Sequence, residues 1–434
     1  MNLISITKKT SVNLFVSVVA MMSMVVAALP AAVSADTSAT PGVLVSDRAQ
    51  ACTPNIKTGY IGHKALVVGT DTVIIGGQFS QWENCTRTTT YNRSNVVAYS
   101  ATNGAVTNFV ADANSDVYAL EKTPDNQSVY IGGNFTTING VAKRSIAKVD
   151  AVTGAVDPNF IASLPGTVRD LQYCGGKLYV GGGFTKRLTT LDPNTGADLG
   201  DMNFAVSGTL ANNGSAGTTR VDKISINPAC SDLIAIGNFT TINGQSRNSA
   251  FRVTISGPAT LTSWHPQRFD AVCPIPYYLR NVEWSADGQY FVIVSTGGPV
   301  GYPATGFCDG AGRWEASSTG NVASPTWINW TGGDSLYSQA IDTTAHVVYV
   351  GGHNRWLDNP DGHDSAGTNA YPVDSIGAIN TDTGLAVRTW DARPMTRGHG
   401  KEDLLLWSGG LVTASDGIKV SGAYHAGTAI FRRP

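Results

Sequence analysis

Short apolar runs that close on a small residue punctuate the chain at Ile75-Gly76, Ile131-Gly132, Val180-Gly181, Ile236-Gly237, Val294-Ser295, Val350-Gly351 and Thr413-Ala414. Successive small positions lie 56, 49, 56, 58, 56 and 63 residues apart. Within one unit the pattern alternates as strands do. Residues 115–121 alternate apolar and polar positions, 123–126 make a turn, and 128–135 read as a second strand. Residues 145–150 are the third strand, and a turn at 150–154 leads to a fourth that ends at Phe160. The turn recurs at 100–104, 192–196 and 380–384, where Asp, Asn or Ser can cap turn amides and Gly supplies the positive φ. A period near 57 residues with four strands is too long for most solenoids and suits one propeller blade.

An aromatic follows a glycine by five to eight residues in six units: Phe109, Phe160, Phe204, Trp264, Trp327 and Trp390. Such outer-strand aromatics are expected to dock against neighbouring blades. After Thr413 only residues 421–432 remain, enough for one more strand. The stretch 36–58 precedes the first inner strand (63–68) and has no unit of its own. The predicted fold is therefore all-β, a seven-bladed β-propeller of four-stranded blades. The N-terminal segment, with 42–46 as the pairing strand, closes the ring and removes open sheet edges. Such a closed ring is expected to be a monomer.

The stretch 132–140, Gly-Gly-Asn-Phe-Thr-Thr-Ile-Asn-Gly, followed by Arg144 and Ile146-Ala147-Lys148-Val149-Asp150, resembles the delta-60 type β-propeller repeat of secreted bacterial proteins. Residues 236–244 repeat most of it. Residues 284–298, 331–337 and 348–366 are similar to secreted actinobacterial propellers that sometimes carry PKD-type modules. The resemblance spans roughly residues 60–431. It implies a propeller fold and export, and it carries over no catalytic residue.

The N-terminus agrees with export. Lys8 and Lys9 precede an apolar run from Val12 to Leu29, then Pro30 and small residues ending Val33-Ser34-Ala35, the pattern of a secretory signal peptide. Cleavage after Ala35 leaves 434 − 35 = 399 residues. The run is long enough that an uncleaved anchor is the alternative. No later stretch is apolar enough to span a bilayer. Lys+Arg 30 against Asp+Glu 32 gives a net charge of −2, with no basic footprint for nucleic acid or anionic membrane. Six cysteines in an exported chain suggest three disulfides. Blade register pairs Cys52 with Cys85, Cys174 with Cys230, and Cys273 with Cys308.

The long loops fall on one face: 80–94, 205–222, 265–280, 299–314, 353–375 and 391–403. Binding groups concentrate on loops carried by a rigid scaffold. The densest polar cluster lies in the blade-six loop, with His353, Arg355, Trp356, Asp358, Asp361, His363, Asp364 and Tyr371, and its neighbour adds Arg393, Arg397, His399, Glu402 and Asp403. Stacking on Trp356 with carboxylate and arginine hydrogen bonds would suit a sugar or a peptide. Asp358, Asn359, Asp361 and Asp364 could also offer oxygens to Ca²⁺, although the spacing is not that of an Asp-x-Asp-x-Asp-Gly loop. The competing reading is an insertion held by its own hydrogen bonds. Arg93, Arg144, Arg187, Arg247 and Arg313 stand at the start of third strands, where each is expected to bond the neighbouring blade's loop carbonyls.

No Gly-x-Ser-x-Gly, His-Glu-x-x-His or phosphate-loop motif occurs in the sequence. The expected function is that of an exported, non-catalytic binding or cell-surface module for an extracellular glycan or protein, with no catalytic residue or resident cofactor assigned. A carbohydrate-active hydrolase or lyase on the long-loop face is the first alternative, because propeller active sites draw carboxylates from separate blades. A quinoprotein-like oxidoreductase is the second.

Overall fold

The computed structural model describes residues 42–210, 217–271, 273, 279–298, 306–321, 324–396 and 400–434. The signal peptide expected at 1–35 lies outside the described residues. Among the described residues no helix is long and apolar enough to cross a membrane.

The fold is all-β. Its principal sheets, numbered 1–7 in chain order, are antiparallel meanders of three strands, some with a fourth. They begin at Asn55–Val68, Val117–Lys122, Val168–Cys174, Arg220–Ile226, Leu279–Trp284, Leu336–Asp342 and Lys401–Trp407. Sheets 4 and 5 add full fourth strands, Thr260–Leu261 and Trp327–Trp330. In sheets 1, 2, 3 and 6 the fourth strand shortens to one bridge, such as Val149 to Val156. In sheet 1 the expected loop 80–94 is partly strand: Thr72–Glu83 continues outward and pairs with Thr90–Asn92. The first strand of each sheet packs against the first strand of the next, and that of sheet 7 against that of sheet 1.

Residues near the N-terminus run beside the last strand. Ser46 N–H donates to the Arg432 carbonyl at 2.7 Å and Gln50 N–H to Ile430 at 2.6 Å, with a bridge from Ala49 to Phe431. The pairing thus falls on 46–50, a few residues beyond the expected 42–46. Val45 instead gives its carbonyl to Trp390 Nε1 at 3.0 Å.

The recurring turn works through one side chain. Asp150 Oδ1 accepts from Val152 N–H, Thr153 N–H and Thr153 Oγ1 at 3.1, 2.7 and 2.8 Å. Asp192 and Asn380 repeat the arrangement. The closing glycine is required twice over at Gly384. Its φ is +72°, and a Cβ there would press into the Trp327 ring.

The aromatics after these turns join consecutive sheets. Phe109 lies in one buried cluster with Val117 and Val129 of sheet 2, and Phe204 packs on Phe251 of sheet 4 at 6.2 Å between centroids. Trp264 meets Phe291 of sheet 5 at 5.5 Å, and Trp390 meets Phe431 of sheet 7 at 5.8 Å. Burying such rings contributes about 2–3 kcal/mol each.

One irregularity recurs in every first strand. Register shifts fall between Gly62 and Lys64, Val117 and Ala119, Val168 and Asp170, Val221 and Lys223, Leu279 and Asn281, Leu336 and Ser338, and Lys401 and Asp403. The bulged residues are His63, Tyr118, Arg169, Asp222, Arg280, Tyr337 and Glu402. Each is polar or aromatic and partly exposed, although it sits deep in the first strand of its sheet. A bulge re-aims one side chain out of the regular alternation.

Candidate functional site

The blade-six loop folds as an insertion on a short hairpin, Trp356–Leu357 against Tyr371–Pro372. Its organiser is Asn359, fully buried. The Asn359 amide donates to the carbonyls of Thr331 and Ser365, both at 3.0 Å, and its oxygen accepts Gly367 N–H at 2.7 Å. A Cβ at Gly362 would collide with that amide.

Arg355 and Asp358 are paired with residues on either side of the insertion. The Arg355 guanidinium makes hydrogen bonds of 2.8–3.1 Å with both Asp334 oxygens, contacts Asp364, and lies 4.3 Å over the Trp356 ring. These carboxylates, Asp334 foremost, hold its pKa above the ordinary arginine value. Asp358 Oδ1 accepts from Asn329 Nδ2 at 2.6 Å and Ala386 N–H at 3.0 Å, and Oδ2 meets Arg388 at 3.3 Å. Asp361 and His363 are exposed. Of the four candidate Ca²⁺ ligands, Asp358, Asn359 and Asp364 thus each bond a different protein partner. Among the described residues no three His, Cys, Asp or Glu side chains gather as metal ligands.

A cleft of about 710 Å³ opens beside the insertion on the flank between sheets 5 and 6. Asp358, Asp361, Asn369, Trp330, Leu385 and Arg388 are among its lining residues. Leu385 is exposed, and Arg388 also donates to the Asn369 carbonyl at 2.9 Å.

The rest of the predicted cluster is dispersed. Arg393 makes two bonds to Asp391 at 2.8 and 2.7 Å, and this partner holds the Asp391 carboxyl below its usual range. Arg397 and His399 lie outside the described residues. Glu402 pairs with Arg280 at 3.2 Å, and Asp403 with Lys64 at 3.2 Å. His353 turns inward, its Nδ1 at 3.0 Å from the Tyr337 hydroxyl, and Gly400 packs on the same pair. The two loops do meet, but at His353 rather than at Trp356.

The arginine row is structural, with a different partner from the one expected. Arg93 donates to the Thr107 carbonyl at 3.1 Å and Arg247 to Thr262 at 3.1 Å, both beyond the third strand of their own sheets. Arg187 caps Gly183 and Phe184 within its own sheet. Only Arg313 reaches across, to Thr381 of sheet 6 at 2.9 Å. In sheet 2 the neighbouring Lys143 takes the role, donating to Asp157 and Phe160 carbonyls. The cysteines stand at disulfide distance in the expected pairs, with Cα separations of 5.3 Å for Cys52 and Cys85, 5.8 Å for Cys174 and Cys230, and 5.9 Å for Cys273 and Cys308.

The bulged residues of the first strands were not singled out in the sequence. Their signal is a polar or aromatic residue that breaks the strand pattern, as in Val117-Tyr118, Val168-Arg169 and Leu279-Arg280, 12 to 15 residues before each small-residue strand end.

Sheets in this cyclic arrangement define a β-propeller. The comparisons agree. A family model described as "Domain of unknown function (DUF5122) beta-propeller" matches residues 124–160. The crystal structure of the WD40 beta propeller domain of Doa1 is similar to this chain with a TM-score of 0.52 at 10% identity, covering 90% of this chain and 96% of that one; at that identity the likeness speaks for the fold. No curated protein matches the sequence.

Proposed function

We propose that the chain is an exported, seven-bladed β-propeller of four-stranded blades, a secreted bacterial protein of the delta-60 repeat type, acting outside the cell as a monomeric, non-catalytic binding module for a glycan or protein. The seven meanders in cyclic contact and the pairing of residues 46–50 with the last strand support the blade count and the closure. The three cysteine pairs fit an oxidising compartment.

The observation that carries the binding reading is the cleft between sheets 5 and 6. Its polar wall is held in place by bonds within the protein, so little ordering cost falls on association. Trp330 and Leu385 supply apolar surface, and Asn369, Asp361 and Arg388 supply hydrogen bonds suited to sugar hydroxyls or a peptide backbone. Hydrolysis by paired carboxylates fits less well, because both oxygens of Asp358 are engaged by Asn329, Ala386 and Arg388.

A glycan array and a peptide array screened with the mature protein test this reading, with a reducing-sugar assay on any glycan bound. Arg388→Ala and Asn369→Ala should weaken binding at least tenfold, about 1.4 kcal/mol each, with an unchanged melting temperature. Trp356→Ala and Arg355→Ala should act more weakly, by loosening the insertion. Unaltered binding in the first two variants overturns the placement. Release of reducing ends by the wild type overturns the non-catalytic reading.

A further inference from the structure

The bulged side chains of the first strands form a belt of two contact groups. The His63 and Tyr118 rings stand 4.9 Å apart. Arg169 lies over the Tyr118 face at 4.3 Å and reaches toward Asp222 at 3.9 Å. Farther round, Arg280 lies over the Tyr337 face at 4.3 Å and bonds Glu402 at 3.2 Å. Two copies of one device, a guanidinium stacked on a tyrosine and reaching a carboxylate, thus sit in different parts of the belt. The first strands succeed one another in cyclic contact, so their bulged side chains converge on the axis.

Cations and carboxylates alternate here: the Tyr118 hydroxyl donates to Asp116 at 2.8 Å, and Lys223 lies 3.8 Å from Asp170. Arg220 joins Asp222 from the same strand at 2.5 Å, so Asp222 is shared between two arginines. The Glu402 carboxyl is buried, which pushes its pKa up. Burial and then the charges of Arg169, Arg280 and Lys223 hold the His63 imidazole down at about 3. The Nε of Arg169 is buried without a hydrogen-bond partner. Buried guanidinium hydrogens are rarely left unpaired, and a carboxylate is the group whose geometry matches that fork.

We infer that this axial belt, separate from the flank cleft, is a second binding site that takes a ligand carboxylate, with Arg169 as its hydrogen-bonding anchor and Tyr118 as the rigid face that orients the guanidinium. The site is lined by side chains from different sheets, and its ligand is a carboxylate carried by a small molecule or a chain end. A sugar acid and a peptide C-terminus share that chemistry.

Isothermal titration of the mature protein with D-galacturonate, and separately with an acetylated dipeptide acid, tests the inference. The methyl ester and the amide are the matched neutral probes. At least one acid should bind saturably, and its neutral partner should bind at least tenfold more weakly. Arg169→Gln should abolish that binding. Arg169→Lys, which keeps the charge and the fold but loses the fork, should weaken it about tenfold. Arg388→Ala should leave it unchanged, so failure of the flank cleft and failure of the axial site remain distinguishable. The acid that binds identifies the source of the carboxylate. No saturable binding of either acid up to about 10 mM, equal binding of the neutral probes, or full binding by Arg169→Lys and Arg169→Gln overturns the proposal.

Discussion

Sheets 1 and 7 are joined by an ion pair between residues 339 positions apart, Lys64 and Asp403. The ammonium of Lys64 lies 3.2 Å from Asp403, whose second oxygen accepts Ala65 N–H at 3.0 Å. Lys64 keeps 20% of its side-chain exposure and Asp403 only 2%. Burial alone would lower the Lys64 pKa, yet Asp403, with Asp170 and Glu121, raises it above the ordinary lysine value. Asp403→Asn retains an acceptor for Ala65 but leaves the ammonium without its counter-charge. Removing one partner of a buried pair costs about 3–5 kcal/mol, and the residual exposure of Lys64 places this case near about 3. The folded unit spans about 400 residues, so its unfolding entropy is roughly 0.8 kcal/mol/K and the expected fall in melting temperature is about 4 °C. Lys64→Met combined with Asp403→Asn removes the stranded charge and should recover most of the loss. Scanning calorimetry and urea unfolding of the wild type, both single variants and the double variant measure the coupling. A loss below about 1 kcal/mol in Asp403→Asn, or additive losses in the double variant, would show that this pair does not tie the two sheets.

Replacing Cys174 and Cys230 by serine opens a loop of 56 residues and should destabilise by about 4 kcal/mol in the chain-entropy model, read as a lowered urea midpoint; an unchanged midpoint contradicts it. Stability should also vary with pH through two groups of opposite sign. The folded state keeps His63 neutral down to about 3 against 6.5 unfolded, so its contribution is whole above 6.5 and falls on acidification through that window. Glu121, pushed up to about 8 by burial, stays protonated in the folded state between 4.5 and 8, so its contribution is whole below 4.5 and is lost as pH rises toward 8. Melting curves from about pH 4 to about pH 9 should flatten on the acid side in His63→Gln and on the alkaline side in Glu121→Gln; identical profiles in all three proteins refute both assignments.

Features set by local chemistry were legible in the sequence, and features set by distant partners were not. The Asp150–Gly154 type of turn closes on its own residues, so its composition reveals it. The docking aromatics, from Phe109 to Trp390, were visible because each follows a glycine by five to eight residues. The cysteine pairs followed once the strands could be numbered. The polar insertion misled in an informative way. Arg355, Trp356, Asp358 and Asp364 are a dense run of binding-type residues, but they satisfy one another and partners such as Asp334, Asn329 and Arg388, which lie 20–30 residues away in the chain. Density in sequence therefore marked residues that line a cleft, and Trp330, Leu385 and Arg388, which line it too, lie outside the dense run. The belt escaped for a different reason. A period-two pattern assigns Tyr118 or Arg169 to one face of a sheet, and the bulge that turns each residue toward the axis breaks that period at a single position. What betrays such a residue is recurrence: the same break in every first strand, 12 to 15 residues before the small-residue strand end, filled each time by a group able to hydrogen-bond or stack. Packing accounts for one bulge in a twisted first strand. It does not account for the choice of His, Tyr, Arg, Asp, Arg, Tyr and Glu at that position around the ring, where alanine or serine would satisfy the backbone equally well.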